Sequence, residues 1–136
     1  ITDLTVSAGI QARIIANPVD GNREVSWHGL PLHTTPLRLP DTRDGEPLRL
    51  YNSDVFEYEL ESPMALYGAI PFAMARAGGY AVAVFWDNPS DTFVDISGPS
   101  MRFMSELGAA DLWVLMPGAA SPAAVLASYT ALTGRP

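Results

Sequence analysis

Five runs of strand length fill the second half of this 136-residue chain and constrain its fold more than any other feature. Short turns rich in Gly, Pro, Asn and Asp separate them, and these residues favour tight chain reversal. Strands joined by such short connections are expected to pair as an antiparallel meander. The runs are Ala69 to Ala75, Tyr80 to Trp86, Thr92 to Ile96, Met101 to Glu106 and Asp111 to Met116.

The side-chain patterns of two of these runs predict more than one layer. Both faces of Tyr80 to Trp86 are apolar, so this strand should be covered on both sides. In Thr92 to Ile96, Phe93 and Asp95 share one face, which can meet solvent or a neighbouring domain. Two packed sheets satisfy both patterns. We therefore predict an all-β fold, an antiparallel β-sandwich.

The first half of the chain has a less regular pattern of strand-length runs and turns. Ile1 to Val6 and Gln11 to Ala16 are β-rich runs that predict a hairpin-like start, and Glu24 to Trp27 predicts a further short strand. The segment 28–47 is rich in Pro, Thr, Asp and Gly, which indicates an extended connection with room for one strand at Leu37 to Leu39.

The end of the chain changes period and predicts one helix. Ser121 suits an N-cap, Pro122 the first helical position, and Gly134 a C-terminal stop. The helix should pack on a sheet or bridge to a further domain. Its apolar residues at helical spacing are Val125, Leu126, Tyr129 and Leu132.

Composition argues against several classes of function. The net charge is −7 and all eight basic residues are Arg, so binding to a phosphate backbone is not expected. No run approaches the roughly 18 to 20 apolar residues of a membrane helix. There is no Cys, and His28 and His33 lack further ligands at a fitting spacing, so we expect no metal site and no cofactor. The acidic run Trp86 to Asp91 favours a turn over a calcium loop.

The stretch from Arg49 to Gly68 is where we expect any ligand, because carboxylates and aromatic rings cluster in it. Glu57, Glu59 and Glu61 would share one face of an extended chain. Paired carboxylates at a defined separation can hydrolyse glycosides. The alternation with apolar residues is, however, typical of a half-exposed edge strand, and we favour that interpretation for the three glutamates.

Asp54 follows a turn-like tripeptide, Tyr51 to Ser53, and two interpretations of it stay open. Its carboxylate can close an Asx-type turn on its own backbone. Alternatively, a carboxylate beside an aromatic ring can hold a sugar, with the acid accepting hydroxyl hydrogen bonds and the ring covering the apolar face. No complete catalytic constellation is visible in the sequence.

Taken together, several segments resemble the N-terminal region of the glycoside hydrolase family 31 α-glucosidases. The resemblance runs from about Trp27 to the end of the chain, in the same order and spacing. One position departs from it, since Leu32 stands where the family usually has Glu. The segments are Gly29 to His33, Arg49 to Tyr58, Leu66 to Pro71, Phe85 to Ile96 and Tyr129 to Pro136.

The resemblance implies a galactose-mutarotase-like sandwich that precedes a catalytic (β/α)8 barrel. Both catalytic aspartates of such enzymes belong to the barrel, so no catalytic residue is expected in residues 1–136, which would form a single domain of a longer enzyme. It also implies that Asp54 hydrogen-bonds the sugar on the leaving-group side and that Phe56 forms an apolar wall there.

Within the family the resemblance is greatest to members that remove glucose from N-linked glycans in the lumen of the endoplasmic reticulum. It thus implies an oligosaccharide substrate and a possible non-catalytic β subunit as partners. Two alternatives remain: a family 31 enzyme that acts on maltose-like sugars, and a stand-alone carbohydrate-binding sandwich.

Overall fold

The computed structural model describes residues 3–6, 9–17, 24–117 and 121–135, and these contain nine strands and one helix. Every strand pair is antiparallel. The elements are β1 Asp3–Val6, β2 Ile10–Ile15, β3 Ser26–Gly29, β4 Leu48–Leu50, β5 Phe72–Ala77, β6 Tyr80–Asp87, β7 Thr92–Ser97, β8 Ser100–Ser105, β9 Asp111–Leu115 and α1 Pro122–Thr133.

The strands form two sheets, which confirms the predicted sandwich. One has the order β1-β2-β8-β7-β4 and the other the order β3-β5-β6-β9. The predicted antiparallel meander holds only within two hairpins. β5 and β6 form a hairpin in the second sheet, β7 and β8 form a hairpin in the first, and β9 returns to pair with β6. Crossing between the sheets lets each hairpin bury one apolar face against the other.

The core between the sheets is centred on two aromatic side chains. Trp86 of β6 and Phe103 of β8 are both buried, and their rings stack with centroids 5.8 Å apart. Trp86 also donates its indole N–H to Ser105 Oγ at 2.8 Å, and Thr92 Oγ1 lies 2.7 Å from the same hydroxyl. The buried polar groups of this layer are therefore satisfied.

The opposite face of β6 packs against α1, which confirms that this strand is covered on both sides. Ala81 and Ala83 are buried there. The ring of Tyr129 lies 4.5 Å from that of Phe72 and 5.4 Å from that of Phe85, between centroids. Burial, and to a lesser degree the charge of Asp87, raises the pKa of Tyr129.

The helix begins and ends as predicted. Ser121 Oγ accepts a hydrogen bond from the Ala124 amide at 3.2 Å, Pro122 opens the helix, and the Gly134 amide donates to the Thr130 carbonyl. Its predicted apolar stripe is only half right: Val125 is buried, but Leu126 is 47% exposed and Leu132 is also exposed. Contact with the sheet follows the line from Val125 to Tyr129, one turn apart, and Leu126 points about 100° away from Val125.

Replacing Val125 by Ala is expected to lower the free energy of unfolding by about 2 kcal/mol, because two buried methyl groups are lost and a small cavity remains. Leu126→Ala is the control, one position along the same helix but half-exposed. Its expected cost is below about 1 kcal/mol. Urea denaturation of the three proteins measures both, and equal losses would contradict the docking of the helix through Val125.

The first half of the chain agrees with the sequence in part. β1 and β2 pair as the predicted hairpin, although Ile1, Thr2, Ser7 and Ala8 lie outside the described residues. The strand predicted at Glu24 to Trp27 is β3, shifted toward the C-terminus.

The strand predicted at Leu37 to Leu39 is absent. Leu39 donates a single backbone hydrogen bond to the Trp27 carbonyl, and Leu37 is exposed. Pro36 and Pro40 flank this tripeptide, and neither can donate to a ladder.

The described ranges hold no helix that is long and apolar enough to cross a membrane.

Candidate functional site

The stretch that the sequence singles out is a long irregular loop between β4 and β5. We call residues 51–71 the β4–β5 loop; they contain neither strand nor helix. A loop of this length has no sheet neighbours to hold it, so its conformation depends on individual hydrogen bonds. These bonds come from segment 30–34, from β5 and β6, and from within the loop.

At the entry of the loop, an ion pair joins β4 to the turn before β7. Arg49 Nε lies 3.1 and 3.2 Å from the two carboxylate oxygens of Asp91, whose side chain is only 14% exposed. The guanidinium also lies over the Tyr51 ring, 4.6 Å from its centroid. Hydrogen bonding to Asp91 raises the pKa of Arg49. The ring of Tyr51, the first residue of the loop, thus lies against a guanidinium that the ion pair with Asp91 holds in place.

His33 links the same entry to segment 30–34. Its Nδ1 lies 2.8 Å from the Leu30 carbonyl oxygen and its Nε2 lies 2.8 Å from the Arg49 carbonyl oxygen. With both ring nitrogens against backbone carbonyls, this histidine has a structural role. His28 is likewise engaged, with Nδ1 2.8 Å from the Leu37 carbonyl oxygen and Nε2 3.1 Å from Ser26 Oγ.

The return of the loop runs along segment 30–34. The Leu32 amide donates to the Gly68 carbonyl at 2.7 Å, and the Leu66 amide donates to the Leu32 carbonyl at 3.3 Å. A Cβ at Gly68 would lie 3.2 Å from the Leu32 side chain, so the glycine permits this close approach. The side chain of Leu32, which departs from the family pattern, therefore makes an apolar contact with the loop backbone at Gly68.

Thr34 ties down the middle of the loop. Its hydroxyl donates to the Glu59 carbonyl at 2.7 Å and accepts from the Ser62 amide at 3.3 Å, while its own carbonyl accepts from the Glu61 amide at 3.2 Å. Sequence reasoning missed Thr34 because its partners lie 25 to 28 residues further along the chain. No local pattern signals such a contact.

Asp54 and Phe56 lie two residues apart in the β4–β5 loop, and we call residues 54–56 its tip. Asp54 is exposed, and within the described part of the chain its carboxylate accepts no hydrogen bond, so the Asx-turn interpretation finds no support. Phe56 is fully exposed. Between them, the Val55 carbonyl accepts a hydrogen bond from the Tyr67 hydroxyl at 2.7 Å. The loop thus exposes a carboxylate and an aromatic ring two residues apart in the chain.

The edge strand predicted for Glu57, Glu59 and Glu61 is wrong. All three side chains are exposed, but so are Tyr58 and Leu60 between them. Glu61 has φ of 59°, in the left-handed region, which ends any extended run. The glutamates therefore do not share one face of a pleated strand.

A hollow of about 390 Å³ opens beside the loop entry. Tyr51 and Asn52 line it from the loop, and Asn88 and Asp91 line it from the turn between β6 and β7. That turn is closed by Asn88, whose side-chain oxygen accepts from the Ser90 amide at 2.8 Å, which confirms the turn predicted at Trp86 to Asp91. The described residues include no cluster of three or more His, Asp or Glu that could hold a metal ion.

Comparison with known proteins agrees with this architecture. Residues 21–95 match the model of the glycosyl hydrolase 31 N-terminal galactose mutarotase-like domain. The glucosidase 2 subunit alpha of Schizosaccharomyces pombe is 44% identical over 124 residues, which cover 80% of this chain and 13% of that protein. The chain therefore spans about one eighth of this relative's length.

Solved structures show the same likeness. A glucosidase II alpha subunit bound to α3-Glc2 superposes with a TM-score of 0.76 at 32% identity, covering 93% of this chain and 15% of that one. The heterodimeric ER glucosidase II complex, of the catalytic subunit and the binding domain of the regulatory subunit, gives a TM-score of 0.73 at 31% identity, covering 90% of this chain and 15% of that one. The chain belongs to the glycoside hydrolase family 31 N-terminal galactose-mutarotase-like domains.

Proposed function

We propose that this chain is the N-terminal domain of a retaining α-glucosidase that removes glucose from N-linked glycans in the lumen of the endoplasmic reticulum. In this proposal the two catalytic carboxylates lie in a (β/α)8 barrel elsewhere in the protein. Residues 1–136 support that barrel and lend it the β4–β5 loop as a substrate-contacting loop. Family membership and the α-glucosidase relatives support the reaction class.

One observation carries the role of the loop: Asp54 and Phe56 are both exposed at its tip, while the loop on either side of them is hydrogen-bonded. An exposed carboxylate can accept hydrogen bonds from two sugar hydroxyls, and such charge-assisted bonds are stronger than neutral ones. A bare phenyl ring can cover the apolar face of a pyranose. Together they suit the sugar on the leaving-group side of the scissile bond.

The proposed partners are the glycan substrate and a non-catalytic β subunit. The superposition on a heterodimer of catalytic and regulatory subunits supports the second partner. The names of the relatives and of that complex support the endoplasmic reticulum as the compartment.

The proposal is tested first on the isolated domain. The 136-residue chain alone should release no glucose from an α-glucosyl disaccharide and should show no millimolar binding in a calorimetric titration, because Asp54 and Phe56 provide only one wall of a site. The complete enzyme that contains this chain should release glucose from the disaccharide and should bind it. Millimolar binding by the isolated chain would support a stand-alone carbohydrate-binding sandwich instead.

Phe56→Ala in the complete enzyme is expected to lower kcat/KM for a glucosyl disaccharide by about tenfold, since a buried ring contact is worth about 1.5 kcal/mol. A single-sugar aryl glucoside should lose less than about threefold, because it lacks the second pyranose. Steady-state kinetics on both substrates measure the split. Equal losses on the two substrates would contradict a wall on the leaving-group side.

A further inference from the structure

Tyr67 lies in a hydrogen-bonded part of the β4–β5 loop. Its two chain neighbours are both joined to Leu32, since the Leu66 amide bonds to the Leu32 carbonyl and the Gly68 carbonyl accepts from the Leu32 amide. The Leu66 carbonyl also accepts from the Ser53 amide at 2.8 Å. The backbone that carries the Tyr67 ring is thus fixed on two sides.

From this base the Tyr67 hydroxyl reaches the tip. It donates to the Val55 carbonyl oxygen at 2.7 Å, twelve residues back along the chain. The Val55 carbonyl belongs to the peptide unit that joins Val55 to Phe56, so this bond fixes the backbone directly before Phe56 and one residue after Asp54. In the described part of the chain, the next anchor beyond it is the Glu59 carbonyl, which Thr34 holds.

We propose that Tyr67 is a positioning residue for substrate recognition: its hydroxyl, through the Val55 carbonyl, holds the Asp54 carboxylate and the Phe56 ring in the arrangement that meets the sugar. The inference rests on the proposed function of those two residues. A loop that is ordered before the substrate arrives does not lose conformational freedom on binding. The affinity of the enzyme for its substrate is therefore higher. Without the hydroxyl, residues 54–58 would have to be ordered by the substrate.

The bond is suited to this role rather than to fold stability. The Tyr67 side chain is exposed, and it belongs to neither of the two hydrophobic clusters of the sandwich. Removing the hydroxyl therefore leaves the core packing intact. Its effect should be confined to the geometry of the tip.

The test is Tyr67→Phe in the complete enzyme, which removes one oxygen atom and keeps the ring. We expect KM for a glucosyl disaccharide to rise about threefold to tenfold, the range that corresponds to one lost hydrogen bond. The thermal midpoint should shift by less than about 1 °C. Tyr80→Phe is the matched control, because Tyr80 is also exposed but lies at the turn of the β5–β6 hairpin, and it should leave KM unchanged.

A double-mutant comparison separates positioning from other roles. In the Asp54→Ala/Phe56→Ala background, Tyr67→Phe should change KM by less than about twofold, since there are no side chains left to position. The same change of KM in both backgrounds would overturn the proposal. So would a fall of several degrees in the thermal midpoint with equal losses on disaccharide and aryl glucoside, which would indicate a structural role.

The result also distinguishes the two proposals from each other. If Asp54→Ala and Phe56→Ala raise KM for the disaccharide but Tyr67→Phe does not, the positioning role is refuted and the function proposed for the loop stands. If all three variants behave as the unaltered enzyme does, the function proposed for the loop fails, and the positioning role fails with it.

Discussion

Asp54→Ala in the complete enzyme should raise KM for a glucosyl disaccharide and lower kcat/KM by about 10- to 100-fold. Hydrogen bonds to a charged group contribute about 1.5 to 3 kcal/mol, and the carboxylate is exposed at the loop tip. The thermal midpoint should be nearly unchanged, because this carboxylate accepts no hydrogen bond from the residues that the structure describes. Steady-state kinetics and a thermal scan measure the two effects.

Two further variants sharpen this prediction. Asp54→Asn keeps the shape and one acceptor oxygen but removes the charge, so its loss of kcat/KM should fall between those of the unaltered enzyme and Asp54→Ala. Asp44→Ala, at an exposed aspartate in the segment before β4, is the control and should change neither quantity. A large loss of stability in Asp54→Ala would show instead that Asp54 closes a turn.

The strands could be predicted from the sequence because their signals are local. Alternation and turn residues lie within a few positions of one another. Each of the five runs predicted between residues 69 and 116 contains a strand, although the first strand begins at Phe72 rather than at Ala69. Which sheet each strand joins could not be predicted in the same way. β9 pairs with β6 although β7 and β8 lie between them in the chain, and no local pattern records such a long-range choice.

The candidate site was predictable to a smaller extent. Resemblance to a family indicated Asp54 and Phe56, and both lie exposed at one loop tip. The bonds that hold the tip come from Tyr67 and Thr34, whose partners are 12 and 25 residues away, so their roles leave no periodic trace. The edge-strand prediction for Glu57, Glu59 and Glu61 failed for the same reason, since alternation alone cannot supply a neighbouring strand.

Phe103→Ala should produce the largest loss of stability in the sandwich, about 3 to 5 kcal/mol. Phe103 is fully buried, stacks on Trp86 of the opposite sheet and lies beside Val94 in the register of β7 and β8. Removing the ring leaves a cavity between the sheets. The surrounding side chains are already closely packed and cannot shift far enough to fill it. Because domains of this size are stable by only about 5 to 15 kcal/mol, the variant should unfold at a markedly lower temperature than the unaltered chain.

The matched control for this change is Phe56→Ala in the same 136-residue chain. It removes the same atoms from a ring that is fully exposed, so the free energy of unfolding should change by less than about 0.5 kcal/mol. Guanidinium denaturation followed by tryptophan fluorescence compares the two, with Trp86 reporting directly on the core. Similar midpoints for both variants would mean that the two sheets do not pack through Trp86 and Phe103. A large difference would support a core carried by the two sheets, to which the exposed Phe56 ring contributes nothing.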